Sequence, residues 1–176
     1  MESIVTHSTI LSGFSTCPYL NNLEETSISL SIPNNACNSD SLITFDLSIN
    51  FMLQSVTIGN ENFMYSNEFV IDELNELKSL KIGMNSFTKK KNSVENNSFR
   101  SFGVLNCIEL ESIEIGEYSF SDYAGGFELK NLPKLSTIKI GEIGSNSYNF
   151  FSCSFMIKGR IDMILQMNRS STFEFH

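Results

Sequence analysis

FGVLNCIELESIEIG, Phe102–Gly116, is the stretch that decides the fold. With Phe102 as position zero, Cys107, Leu110, Ile113 and Ile115 fall at +5, +8, +11 and +13, and Gly116 closes the phrase at +14. The same frame recurs from Phe69, through Leu74, Leu77, Leu80, Ile82 and Gly83. It returns from Phe127, through Leu132, Leu135, Ile138, Ile140 and Gly141. An earlier copy starts at Phe45 and carries Leu53, Val56, Ile58 and Gly59, with Asn50 in the +5 slot. A fainter one is counted from Ser15, with Leu20, Leu23, Thr26 and Ile28 in frame and Ser29 in the glycine slot. A last one starts at Phe155, carries Ile157 and Met163, and then loses the pattern, giving six units.

The spacing has a physical reading. Positions +11 and +13 are two apart, the period of a strand that sends alternate side chains into a core. β-Branched residues dominate there, and their stiff side chains suit a pleated surface. The three-residue steps before them predict a turn-like approach, too short for a free helix. Pro133 limits helix further, because a residue before proline avoids the α region. Glycine at +14 predicts a sharp exit from the strand, with positive φ. A second signature follows it: Asn62-Phe63, Ser86-Phe87, Ser119-Phe120 and, past an insertion, Ser147-Tyr148. These aromatics are expected to pack inward. Phe69-Val70-Ile71 and Phe127-Glu128-Leu129 predict a second short strand on the opposite face. Insertions such as Thr88 to Ser98 fall between units, where loops are tolerated. A unit this small cannot bury its own apolar face, so the units must stack, as in a solenoid.

Composition narrows the function classes. The chain has 176 residues, one domain's worth, and 41% are hydrophobic. Formal charge is −8, from 20 acidic and 12 basic residues, which disfavours a nucleic-acid partner. The basic run Lys89-Lys90-Lys91 reads as a solvated loop. No apolar run approaches the roughly 20 residues that span a bilayer, so no membrane partner is expected. The N-terminus lacks a signal-peptide pattern, which makes a cytoplasmic, reduced protein the default expectation. Cys17, Cys37, Cys107 and Cys153 have no metal-ligand spacing and permit disulfides without indicating them. Cys107 occupies a core slot and is expected to be an inert thiol. Cys17 and Cys153 are less constrained and open to partial exposure. The sequons at Asn96 and Asn168 matter only in a secreted protein. His7 and His176 stand beside no nucleophile in sequence. Glu109, Glu111, Glu114 and Glu117 form an acidic patch without the oxygen-ligand order of a calcium loop. No cofactor, metal site or catalytic residue is expected, and the chain reads as a non-enzyme.

The phrase resembles leucine-rich repeats, whose core LxxLxL is matched by Leu77-Leu80-Ile82, Leu110-Ile113-Ile115, Leu135-Ile138-Ile140 and Leu53-Val56-Ile58. Ile-Gly followed by Ser-Phe is similar to the bacterial-surface-antigen-like subgroup found in bacteria and protists. The chain departs from the pattern where Ile-Gly replaces the usual Asn after the strand and where Cys107 replaces a Leu. The resemblance implies a curved solenoid of α/β class, mostly β, with a parallel concave sheet, short convex strands and turns, and little or no regular helix. The expected organisation is one solenoid domain over 1–176, secure at about 45–155, with degenerate or capping units at 1–44 and 156–176. A capping strand or short helix is expected within Ile161 to Met167. The family implies protein or glycan binding and supplies no catalytic residues.

If +11 and +13 point inward, the residues between and before them face out. The candidate binding residues are Gln54 and Thr57, Lys78 and Lys81, Glu111 and Glu114, Ser136 and Lys139. At +12 the column runs Thr57, Lys81, Glu114, Lys139, side chains of alternating charge one strand apart. Such pairs stabilise a sheet modestly and equally offer donors and acceptors to a polar partner. The leading expectation is a noncatalytic protein-interaction scaffold. Its rivals are a structural or assembly subunit of a larger complex and a secreted adhesin-like module. Oligomeric state is left open.

Overall fold

The computed structural model describes residues 7–10, 17, 26–141, 147–158 and 164–167. Ser15, Leu20, Leu23, Met163, Asn168 and His176 lie outside the described residues. In chain order the strands are β1 (His7–Ile10), β2 (Ser27–Ile32), β3 (Thr44–Asp46) and β4 (Ser55–Ile58). Next come β5 (Glu68–Asp72), β6 (Ser79–Ile82), β7 (Ser101–Leu105) and β8 (Ser112–Ile115). The last are β9 (Gly126–Lys130), β10 (Thr137–Ile140), β11 (Phe155–Lys158) and β12 (Ile164–Met167). They form a seven-stranded sheet in the order β1-β2-β4-β6-β8-β10-β12 and a five-stranded sheet in the order β11-β9-β7-β5-β3. Every pairing is parallel. Among the described residues there is no helix, and none long and apolar enough to cross a membrane. The fold is therefore strand-rich and built of parallel sheets.

The unit frame explains the register. Val56, Leu80, Ile113 and Ile138 are opposite one another at +11, as are Ile58, Ile82, Ile115 and Ile140 at +13, and all are buried. The approach to each strand is a turn, with Leu77 N–H donating to Leu74 O and Leu135 N–H to Leu132 O at 3.2 and 3.1 Å. The zero-position phenylalanines head the second sheet. Phe45, Phe69, Phe102 and Phe127 stack face to face with centroids 4.8–5.0 Å apart. That distance is the strand spacing itself, so the sheet sets the stack. A second column, Phe63, Phe87, Phe120 and Phe150, stacks at 4.8–4.9 Å. The two columns meet edge to face at 4.8–5.7 Å, the arrangement ring quadrupoles favour.

Four expectations are corrected. The aromatic after the last complete unit is Phe150, not Tyr148, because five additional residues precede it and Tyr148 pairs with Tyr118 instead. Near the N-terminus, Leu30 and Ile32 oppose Val56 and Ile58, so the frame is four residues later than Thr26 and Ile28 imply, and Pro33 takes the glycine slot. Past Phe155 the pattern continues, with Leu165 and Met167 opposite Ile138 and Ile140. The +14 glycines mostly lack positive φ; Gly141 alone has it, at 71°. At Gly59, Gly83 and Gly116 the requirement is proximity. A Cβ there would come within 2.8, 2.6 and 2.6 Å of the carbonyl carbons of Pro33, Gly59 and Gly83.

The Asn/Ser-Phe signature has a polar explanation. Ser86 Oγ donates to Gly59 O at 2.9 Å and accepts from Asn62 N–H at 3.2 Å. Ser119 repeats this one unit on, with Gly83 O at 2.5 Å and Ser86 N–H at 3.0 Å. Asn62 bonds Pro33 O and the Ala36 amide, and Asn149 bonds Gly116 O. These buried side chains satisfy the backbone groups that each tight turn leaves unpaired.

Candidate functional site

The outward face of the seven-stranded sheet carries the nominated residues in aligned columns. Gln54, Lys78, Glu111 and Ser136 stand one residue before their strands and continue the ladder. Lys78 N–H donates to Gln54 O, Glu111 N–H to Lys78 O and Ser136 N–H to Glu111 O, at 2.9, 2.9 and 3.0 Å. Lys78, Glu111 and Ser136 are exposed and Gln54 is half-buried. Between the columns lie half-buried Ser55, Ser79, Ser112 and Thr137, which keep the face low. Thr57, Lys81, Glu114 and Lys139 follow in register. Lys81 Nζ lies 3.2 Å from Glu114 Oε2, and Lys139 flanks Glu114 on the next strand. Both members of that pair are largely solvated, which holds the ion pair below about 1 kcal/mol. Ser31 and Gln166 extend the same column at either end. The sequence reading missed both, because the first frame was displaced and the last unit is one residue short.

Beyond the strand ends the face drops into a cleft of about 340 Å³, where Gly83, Gly116 and Gly141 place no side chains. Lys81, Glu114, Glu117 and Lys139 supply its charge, and Met84 an apolar wall. Tyr118, the residue after Glu117, meets Tyr148 with ring centroids 5.6 Å apart. The cleft can hold a polar group between paired cations and carboxylates. Among the described residues that line it there is no hydroxyl or thiol group.

A different cluster escaped the sequence reading entirely. Arg100 and Asp122 are both buried and form an ion pair. Arg100 Nε donates to Ser66 O at 3.0 Å and Nη2 to Met64 O at 2.9 Å. The guanidinium lies over the Tyr123 ring, 4.6 Å from its centroid, and Tyr123 O–H donates to Ser66 O at 2.7 Å. Burial pushes the Tyr123 hydroxyl well above the ordinary phenol range. Lys89 N–H reaches Asp122 Oδ2 at 3.2 Å, and Thr88 Oγ1 lies 2.8 Å from Ser121 Oγ. The cluster thus fixes both ends of the 88–98 insertion. Two of its three lysines also have acidic side-chain partners, Lys90 with Glu95 and Lys91 with Glu61. The hydrogen bond between them raises the Lys90 pKa and lowers that of Glu95.

The cysteines divide into a pair and two thiols. Cys17 and Cys37 form a disulfide with Cα atoms 4.9 Å apart, and both are buried, which corrects the expectation of reduced and partly exposed Cys17. Cys107 is buried in its core slot and Cys153 is half-buried. Burial pushes each thiol up to about 11, so neither is an activated nucleophile at neutral pH. Glu109 of the acidic patch is paired with Lys134 at 2.5 Å. Compared with known protein families, with curated proteins and with solved structures, the chain matches none.

Proposed function

We propose that the chain is a leucine-rich-repeat-like solenoid of the bacterial-surface-antigen-like kind, working as a noncatalytic scaffold that binds a protein partner through the outward face of its seven-stranded sheet. The observation that carries this reading is the aligned Thr57-Lys81-Glu114-Lys139 column, exposed except for half-buried Glu114, which runs into the 340 Å³ cleft. The LxxLxL phrase, in register from unit to unit, supports the family assignment. The charges contribute little to folding, so they are available for recognition.

The test is affinity purification from source cells with wild type, Lys81→Glu, Glu114→Lys and the double swap. Each variant sets like charges side by side on the sheet, Lys81→Glu beside Glu114 in the single variant and Glu114→Lys beside Lys139 in both of its variants, so each should melt within about 1 kcal/mol of wild type and stay folded. Recovery of the partner should fall roughly 5–30-fold in each variant, the double swap included, since the charge pattern presented to the partner is altered in every case. Unchanged recovery in the double swap removes this face from the binding reaction.

A secreted, adhesin-like role is the second reading, favoured by the Cys17–Cys37 disulfide and by the exposed sequon at Asn96. Disulfides persist in oxidising compartments. Mass spectrometry of protein from its native source decides it. An intact disulfide with a glycan on Asn96 supports secretion, and alkylatable Cys17 and Cys37 with bare Asn96 exclude it.

A further inference from the structure

The outer face of the five-stranded sheet has a gap in its middle row. Register places Val70, Gly103 and Glu128 side by side, between a row of Glu68, Ser101 and Gly126 and a row of Asp72, Leu105 and Lys130. Gly103 has no positive φ, and a Cβ built on it meets nothing nearer than Val70 Cγ2 at 3.9 Å and Leu105 Cγ at 4.0 Å. Neither backbone conformation nor crowding demands glycine there. A glycine inside a strand weakens it and marks a place where another group approaches the backbone. Here it forms the floor of a cavity of about 430 Å³, walled by Val70, Leu105, Ser154 and Glu128.

Two further glycines extend that floor. Gly126 has φ of +143° and open space where a side chain would stand. Gly125 backs against the insertion, where a Cβ would lie 2.8 Å from Arg100 O. The bare floor therefore runs to the base of the segment that carries Phe99, whose exposure is 87%.

Charge selects the occupant. Asp46, Glu68, Asp72 and Glu128 all face outward on this sheet, and among the described residues the carboxylates of Glu68 and Glu128 have no hydrogen bond or ion pair. Lys130 shares the face beside Leu105, with Lys158 next to it in register. The chain as a whole carries −8. A group suited to this notch has an apolar stem for Val70 and Leu105, over the buried Gly103, and a planar cation for the open peptide planes at Gly125 and Gly126 and a carboxylate. Arginine fits that description better than lysine, because its guanidinium is flat, weakly hydrated and bidentate toward carboxylates.

We propose that this notch docks an arginine side chain from an extended basic segment of a partner protein, with the guanidinium held by Glu128. The site is on the opposite sheet from the charged column and does not depend on it. The probe is the blocked peptide acetyl-Gly-Arg-Gly-Arg-Gly-amide, titrated into the ¹⁵N-labelled full chain, with the citrulline peptide as its neutral isostere. The arginine peptide should shift the Gly103, Gly125 and Gly126 amides with a Kd of about 1 mM, as a single side-chain contact warrants. Citrulline should bind about tenfold more weakly or not at all. Gly103→Ala, whose Cβ meets nothing nearer than 3.9 Å, raises the floor and should weaken the shifts about tenfold, as should Glu128→Gln, which leaves the floor intact. Lys81→Glu should leave them unchanged. Equal binding of the citrulline peptide, wild-type binding by Glu128→Gln, or no shift at about ten times the expected Kd overturns the proposal.

Discussion

Left-handed backbone is distributed in columns, and asparagine is the commonest residue type in it. Glu61, Asn85, Tyr118 and Tyr148 have positive φ past their strands, as does Asn35, and Phe63, Phe87, Phe120 and Phe150 have it two residues after the first four. A third column holds Glu73, Asn106 and Asn131, at 58°, 51° and 54°. Asparagine tolerates this region, whereas other L residues incur a cost of about 1–2 kcal/mol. The phenylalanines offset that cost by burial and ring stacking; exposed Glu73 has no such return. Glu73→Asn should therefore stabilise the protein by about 0.5–1 kcal/mol, a rise of a few degrees in Tm. An unchanged or lower Tm would contradict the strain argument. Cys107 gives a prediction of opposite sign with pH. Its folded pKa of about 11 lies above that of an unfolded thiol, so the folded state holds the proton more tightly. The contribution is complete below about pH 8.5 and is lost as pH rises through the folded value. Urea midpoints should fall more steeply between about pH 8 and 10.5 in wild type than in Cys107→Ala. Parallel profiles would show that the thiol does not titrate with unfolding.

The elements were legible in the sequence to the degree that side-chain pattern fixes them. Strands β4, β6, β8 and β10 announce themselves because apolar residues two apart at +11 and +13 admit one facing only, and the same alternation sets Thr57, Lys81, Glu114 and Lys139 on the outward face, whereas Gln54, Lys78, Glu111 and Ser136 precede the strands and lie outside it. Strand β2 was found but misregistered. Ser27–Ile32 alternates through Ile28, Leu30 and Ile32, so period two alone leaves a choice of pairs, and the stop at Pro33 makes the choice. The Arg100–Asp122 pair left no pattern at all, because a buried charge and a surface charge are the same letter and these two join segments 22 residues apart. That pair converts the 88–98 insertion from a tolerated loop into an anchored one. Removing one partner strands a buried charge, so Asp122→Ala should cost about 3–5 kcal/mol in chemical denaturation. With Arg100→Leu added, the double variant should lose less than the sum of the singles, leaving a coupling of at least about 1 kcal/mol. Additive losses would mean that the carbonyl bonds to Ser66 and Met64, not the ion pair, hold the arginine. Limited proteolysis should cut Asp122→Ala within 88–98 first.

At the scale of the whole molecule, the two sheets present different surfaces while sharing one core. The seven-stranded sheet shows a ladder of mixed charge, and the five-stranded sheet shows an acidic, glycine-floored notch. Between them, strand contacts run from each strand to its neighbours in the same sheet. On the proposed solenoid reading, stability is the sum of unit and neighbour terms, and central strands, with a partner on both sides, open last. Hydrogen exchange should therefore be slowest in β6 and β8 of one sheet and β5 and β7 of the other, and faster toward β1, β12, β3 and β11. Ile113 provides the perturbation. It is buried between Leu80 and Ile138, so Ile113→Ala removes packing from both neighbouring units and should cost about 2–5 kcal/mol. If coupling passes only between neighbours, protection should fall most in β6, β8 and β10 and be largely retained in β2. A uniform fall across all strands would instead define one cooperative unit, in which the aromatic columns bind the stack more tightly than neighbour contacts alone imply.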